Sequence, residues 1–211
     1  MRPFPPFILS AQQISKSFDG FRPIFPPIDI SLTNGEILGI IGWNGSGKST
    51  LMKMLSGTLM PSNGSLTVHY DGIKVENEHI PMKIGFIAPY LTVYEEFTPI
   101  EHARIFCEMS GVDFNEQLFE QLMNITGLKQ YESRQIKAFS SGMKQRVKYL
   151  LAMIRQNPIL LLDEPSTNLD SKGQETFKTI MNMQKNMGGG IIIATNEQAE
   201  TAFCDHIISL S

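Results

Sequence analysis

Gly42-Trp43-Asn44-Gly45-Ser46-Gly47-Lys48-Ser49-Thr50 follows a short apolar run, Glu36 to Ile41, and precedes Leu51, Met54 and Leu55, which are spaced as on one helix face. The stretch matches G-x-x-x-x-G-K-S in the strand-then-helix setting that the pattern requires. Glycines at 42, 45 and 47 let the backbone curl so that successive N–H groups point inward. The following helix adds its positive N-terminal end, so the stretch reads as a cradle for phosphates. In that reading Lys48 reaches the β and γ phosphates of a nucleotide, the Ser49 hydroxyl is a ligand to Mg²⁺, and Thr50 contacts the α phosphate. Asn44 and Ser46 complete the loop. A plain glycine-rich turn is the competing reading, but a turn does not need Lys-Ser after its last glycine.

Working outward, Ile159 to Asp163 and Ile191 to Thr195 are two further apolar runs bounded by turn residues. They lack alternation with polar residues, so they predict parallel strands buried on both faces. Between the run ending at Ile41 and the one starting at Ile159, Val147, Leu150, Leu151 and Ile154 follow the spacing of one buried helix face. Strands alternating with helices predict an α/β fold. Near the N-terminus Ile8 to Ser17 and Ile28 to Thr33 read as strands separated by turns at Asp19-Gly20 and Pro26-Pro27, and Leu66 to Tyr70 and Lys83 to Ile87 add two more. A mixed or antiparallel β subdomain beside the parallel core is the expectation. Glu101 to about Lys137 is polar and helical, with Ile105, Met109, Leu118, Phe119, Leu122 and Ile125 as its apolar positions. It predicts an inserted helical lobe, spanning about residues 90–156 with its flanks, within one domain covering 1–211. Gly188-Gly189-Gly190 is the one stretch that reads as a flexible connector.

The run Ile159-Leu160-Leu161-Leu162-Asp163-Glu164 ends in two carboxylates. Strand ends in such sheets share a rim, so the pair can face the phosphate loop. Asp163 is then a Mg²⁺ ligand, directly or through water, and Glu164 the group that polarises an attacking water. Alone, the pair is equally an Asp-Glu opening a loop before Pro165.

Phe139-Ser140-Ser141-Gly142-Met143-Lys144-Gln145-Arg146 opens the helix that runs through Ile154. Ser140 can cap it and Gly142 permits close backbone approach, which makes a second potential anion site. The order of phosphate loop, helical lobe, Ser-Ser-Gly-Met-Lys-Gln-Arg and Leu-Leu-Leu-Asp-Glu-Pro-Ser resembles the nucleotide-binding subunits of ABC ATPases over nearly the whole chain. The fold this implies is a P-loop NTPase core with an N-terminal antiparallel β subdomain and an inserted helical signature subdomain. The resemblance also implies that Phe18 stacks on adenine and that Ser140 and Gly142 contact the γ phosphate of ATP held by the opposite subunit. Asn168, Leu169 and Asp170 would join the two sites across a head-to-tail dimer of identical or related chains. The implied activity is ATP hydrolysis, with Mg²⁺, driving a separate transmembrane permease. Tyr90 to Gly111, with Glu95, Phe97, Thr98, Glu101 and His102, corresponds to the region that docks that partner, or else is ordinary helical packing.

Three positions depart from the family pattern. Ser141 replaces a glycine of the signature, a small change. Pro89 stands where the family has a glutamine and offers neither a polar side chain nor an N–H; Tyr90 is the neighbour able to compensate. Asn196 follows Thr195 where the family has a histidine, and an amide can donate a hydrogen bond but never carries a proton charge. Asn196 with Lys48 and Glu164 makes the expected catalytic set. The departures leave open a nucleotide-gated binding module with weak or no hydrolysis.

The 211 residues carry a formal net charge of -3, which gives no basic field for nucleic acid. Two cysteines, Cys107 and Cys204, lack metal-site spacing and are expected to be buried, in a reducing compartment. The absence of a long apolar run or a leader-like N-terminus points to the cytoplasm, with any membrane link supplied by the partner. A soluble ABC ATPase of translation or repair is the third class, without the tandem modules or long coiled coil such proteins usually show. The close approach of Asn196 to the chain's end at Ser211 leaves little room for a regulatory domain and resembles small exporter ATPases.

Overall fold

The structure, a computed structural model, describes residues 3–166 and 169–210. In chain order the strands are β1 (Phe7–Ser15), β2 (Ile28–Thr33), β3 (Ile37–Ile41), β4 (Asn63–Tyr70), β5 (Ile73–Val75), β6 (Ile84–Ile87), β7 (Ile159–Asp163), β8 (Gly190–Thr195) and β9 (His206–Ser209). The helices are α1 (Lys48–Leu55), α2 (Pro99–Met109), α3 (Glu116–Ile125), α4 (Ser141–Ile154), α5 (Ser171–Asn186) and α6 (Gln198–Thr201). Four strands make an antiparallel sheet in the order β2-β1-β4-β5, and five make a sheet in the order β6-β7-β8-β3-β9, whose strand pairs are all parallel.

The apolar runs lack alternation because both faces of the parallel sheet are covered. Leu160, Leu162, Ile191 and Ile193 point into a core shared with α2 to α5. Ile159, Leu161, Ile192 and Ala194 point into a second core, built with α1 and the antiparallel sheet through Leu9, Leu32 and Val68. Each fully buried Leu or Ile contributes roughly 1.5–3 kcal/mol relative to exposure, so the two cores together anchor the sheet that carries the site. Its register aligns Ile87 with Leu162, Asp163 with Ala194, and Ile41 with Thr195. The C-terminal ends of β6, β7, β8 and β3 therefore meet on one rim.

Local chemistry sets the helix starts. Thr98 accepts from the Glu101 N–H while the Glu101 carboxylate accepts from the Thr98 N–H, with Pro99 in the first turn, so α2 begins with a complete capping box. Asn115, Ser140 and Asp170 cap α3, α4 and α5 through their side chains.

Within the helical lobe α2 and α3 are separated by a turn at Gly111, and 3-10 turns at Lys129–Tyr131 and Ile136–Ala138 lead into α4. Several expectations need correction. Met109 is 78% exposed, because α2 turns His102, Ala103 and Cys107 inward instead. Cys204 is only half-buried. The glycine triplet is a close-packed joint: Gly188 turns the chain at φ 72, and a Cβ at Gly189 would collide with the Gln184 side chain. Gly190 already belongs to β8. Strand β1 ends at Ser15, two residues early, after a bulge. Strands β5 and β9 and helices α5 and α6 were not anticipated.

Candidate functional site

From the end of β3 the chain turns through Gly42 into α1. Gly47, the N-cap of α1, has φ 99, and a Cβ there would lie 2.7 Å from Ile24 and Phe25. Both the left-handed backbone and the close packing require glycine. Ser46 is buried, and its N–H donates to the Trp43 carbonyl at 3.1 Å. Lys48 is 5% exposed, and its ammonium donates to the carbonyls of Gly42 at 2.6 Å and Trp43 at 3.3 Å. It also donates to Asn196 Oδ1 at 3.1 Å, and Asn196 Nδ2 donates to Asn44 Oδ1 at 2.8 Å. Because an ammonium only donates, the Asn196 oxygen must face Lys48, which leaves its NH₂ for Asn44. Adjacent strands β3 and β8 thus deliver Asn196 onto the phosphate loop.

Asn44, Gly45, Gly47, Lys48, Ser49 and Thr50 line one side of an open cleft of about 360 Å³, and Glu164 lines the other. Glu164 has φ 46, a left-handed conformation rare outside glycine, and its N–H donates to the Ala194 carbonyl at 2.8 Å. Asp163 ends β7 at 2% exposure, and neither of its carboxylate oxygens has a hydrogen-bond partner among the described residues. Burial raises its pKa and the Glu164 charge adds to this, while the charges of Lys48 and Lys53 act the other way; the nearby Ser49 hydroxyl lies outside hydrogen-bond geometry. Two unfilled carboxylate acceptors beside a serine hydroxyl and a phosphate cradle fit a hard divalent cation. Among the described residues no cluster of three or more His, Cys, Asp or Glu could hold a metal by itself. Such an ion would therefore take most of its ligands from phosphate and water.

The loop after β6 also reaches this rim. Lys148, on α4, donates to the carbonyls of Ala88 at 3.3 Å and Pro89 at 3.1 Å, and Pro89 lines a hollow with Glu164. The Tyr90 ring packs edge-on to Phe86 and lies under the Lys53 ammonium, 4.5 Å from the ring centroid. Burial and the Asp163 charge push the Tyr90 hydroxyl up to about 12, so it stays protonated.

Phe18 is 71% exposed, with the Lys16 ammonium 5.4 Å from its ring centroid. Its turn is held by the Asp19 carboxylate, which accepts from the Arg22 and Phe21 N–H groups and the Ser17 hydroxyl; these hold Asp19 at about 2. Ile24 donates its N–H to the Lys16 carbonyl at 2.7 Å and sits on the cleft wall, so this turn abuts the cleft.

Ser140 and Gly142 are not on that wall. Ser140 accepts from the Met143 N–H at 3.2 Å as the cap of α4, and buried Gly142 faces the Asp170 carboxylate, 3.3 Å from where a Cβ would stand. Asp170 caps α5 and lies 3.7 Å from Arg146. Leu169 is half-buried, and Asn168 lies outside the described residues.

Sequence reasoning did not single out Lys53, whose ammonium lies over the Tyr90 ring, or Glu200, which is buried and lines a hollow with Asn196 and Glu164. Lys53 lies one helical turn beyond Ser49 and was visible by that spacing. Glu200, a charged residue four positions after Asn196, had no sequence signal of burial.

Comparison with known proteins follows the same outline. A family model described as ABC transporter matches residues 25–167. The ABC transporter ATP-binding protein NatA of Bacillus subtilis (strain 168) is 33% identical, over 96% of this chain and 85% of its own length. A solved structure of an ATP binding subunit of an ABC transporter superposes with TM-score 0.84 at 27% identity, over 96% of this chain and 85% of that one. The dimeric structure of MJ0796, a bacterial ABC transporter cassette, shares the fold with TM-score 0.81 at 21% identity, over 95% of this chain and 93% of that one. The chain spans 62% of the length of one Bacillus subtilis relative and 97% of a Bacteroides fragilis one.

Proposed function

The chain belongs to the ABC transporter family of ATP-binding subunits, and from that premise we propose that it hydrolyses ATP to drive a separate transmembrane partner. The observation that supports this reading is the shared strand-end rim: Lys48 and Glu164 line one cleft, Asn196 accepts a hydrogen bond from Lys48, and Asp163 ends β7 next to Glu164. Lys48 exchanges its carbonyl contacts for the β and γ phosphates, and Phe18 stacks on the adenine. Gly42, Gly45, Gly47 and Thr50 supply backbone and side-chain donors to the phosphates. Mg²⁺, held by Ser49 and Asp163, would neutralise charge on the β and γ oxygens. Glu164 orients and polarises the attacking water, and Asn196 donates to the γ phosphate.

Residues 1–211 then form one nucleotide-binding domain with the helical lobe of 90–156 inside it. Ser140 and Gly142, off the cleft wall, complete the site of a second such subunit in a head-to-tail dimer, identical or related. An apolar hollow of about 210 Å³ between β6, α2 and α4, lined by Leu91, Tyr94 and Phe106, supports docking of the membrane partner. Among the described residues no helix is long and apolar enough to cross a membrane. The proposed place of work is the cytoplasmic face, through that partner and without nucleic acid.

Pro89 and the uncharged Asn196 favour a second reading, ATP-gated closure with little hydrolysis. Single-turnover phosphate release separates the two. Release well above a Glu164→Gln control is expected; release no faster than that control leaves only the gated binding module.

A further inference from the structure

The three residues that begin the loop after β7 are each held by a different element. The Glu164 N–H goes to Ala194 on β8 at 2.8 Å. The Pro165 carbonyl accepts from the Tyr149 hydroxyl at 2.9 Å, and Tyr149, on α4, is 0% exposed. The Ser166 N–H donates to Glu200 Oε1 at 2.9 Å, and Glu200, on α6, is 3% exposed. The residue inside this grip is the left-handed Glu164, φ 46. Such a conformation persists in a non-glycine residue only when its surroundings over-determine it.

We infer that Tyr149 and Glu200 are positioning residues that lock the backbone of residues 164–166 and so aim the Glu164 carboxylate into the nucleotide cleft. This rests on the reading of Glu164 as the group that polarises water. Neither residue lines the phosphate-loop cleft; the Tyr149 hydroxyl bonds the Pro165 carbonyl and Glu200 Oε1 the Ser166 N–H, while Glu200 Oε2 is buried without a partner among the described residues. Burial and the Glu200 charge raise the Tyr149 pKa, so the hydroxyl remains a donor throughout the neutral range. Glu200 also lines a polar hollow with Asn44, Asn196 and Glu164, which ties the loop after β8 to the loop after β7. Tyr149 lies on α4 with Gly142, and Ser140 is that helix's N-cap. A shift of the helix therefore reaches Pro165, the residue after Glu164, through one hydrogen bond.

Steady-state kinetics, ATP affinity and thermal melting of Tyr149→Phe, Glu200→Gln and Glu200→Ala test the inference. Tyr149→Phe removes one oxygen and should lower kcat by about tenfold or more while leaving KM and ATP affinity in place, as expected for a misplaced catalytic group. Glu200→Gln keeps an oxygen able to accept from Ser166 and should retain most of kcat, whereas Glu200→Ala should lose it. In a Glu164→Gln background Tyr149→Phe should have no further effect on residual turnover. A lowered melting temperature with unchanged kcat, or the same fractional loss with and without the Glu164 carboxylate, overturns the inference. The Glu200 pair decides alone if Tyr149→Phe does not fold. Failure of the underlying reading looks different: Glu164→Gln by itself would hydrolyse ATP at the native rate.

Discussion

Asn196 accepts one hydrogen bond from Lys48 and gives one to Asn44, while Lys48 also donates to the carbonyls of Gly42 and Trp43. An incoming γ phosphate competes for both the Lys48 ammonium and the Asn196 NH₂. The amide lends a dipole to that phosphate and no net charge, at any pH in the neutral range. Asn196→Ala should therefore lower kcat by about 10²-fold, the size of effect seen when one stabilising donor is removed, with little change in ATP affinity. Asn196→His should keep turnover and add a pH dependence with a midpoint near the ordinary imidazole value of about 6.5. The rate would rise as pH falls through that midpoint, because the charged imidazolium binds the developing negative charge better. The native chain should be flat across about pH 6 to 8. A pH–rate profile of both proteins checks this; a native profile with a midpoint near neutrality would show that some other group titrates in the mechanism.

At the scale of elements, α4 starts at Ser140, whose side chain caps the helix. A capping serine and a nucleotide-contacting serine respond differently to substitution. Ser140→Ala removes the cap and should cost about 1 kcal/mol of stability, while Ser140→Gly should cost only a few tenths. Both delete the hydroxyl that the proposed dimer would offer to a partner's nucleotide, so on that proposal both should depress ATPase activity alike. Melting temperature and kcat measured on the two variants separate the roles, and activity that tracks stability would reduce Ser140 to a cap. Strands β3, β7 and β8 were legible because burial on both faces leaves an unbroken apolar run. Helix α5 was not, because its inner face mixes Phe177 and Ile180 with Thr176 and Gln184. Thr176 bonds the Ile125 carbonyl, and Gln184 bonds the carbonyls of Asn157 and Pro158, partners distant in sequence that no local periodicity reveals. Strand β5, three residues long, carries too little pattern to read. At the site, the glycine and lysine spacing announced the phosphate loop and the strand end announced Asp163 and Glu164. Asn196 was grouped with Lys48 only through the family pattern, and its bond to Asn44 depends on sheet order, which shows once β3 and β8 are seen to pair.

For the whole molecule, the proposed composite site needs two half-sites, the cleft and the α4 N-terminus, and neither Ser140 nor Gly142 lines the wall formed by Lys48 and Glu164. In the proposed two-fold dimer one chain's cleft would lie against the other's α4, and symmetry would repeat the contact and close the assembly at two subunits. ATP would bridge each contact, so affinity between subunits should depend on nucleotide. Glu164→Gln, which slows loss of the γ phosphate, should sediment as a dimer with ATP and as a monomer with ADP. The sharper test mixes two chains that are inactive alone. Lys48→Ala lacks the phosphate lysine; Gly142→Asp puts a carboxylate against Asp170 and toward the partner's phosphates. In a mixed dimer one site combines the intact phosphate loop of the Gly142→Asp chain with the intact α4 start of the Lys48→Ala chain, and the other site carries both defects. Mixing should therefore restore ATP hydrolysis that neither variant has. If the mixture stays as inactive as its parts while each variant still binds its own kind, the two half-sites do not belong to one composite site.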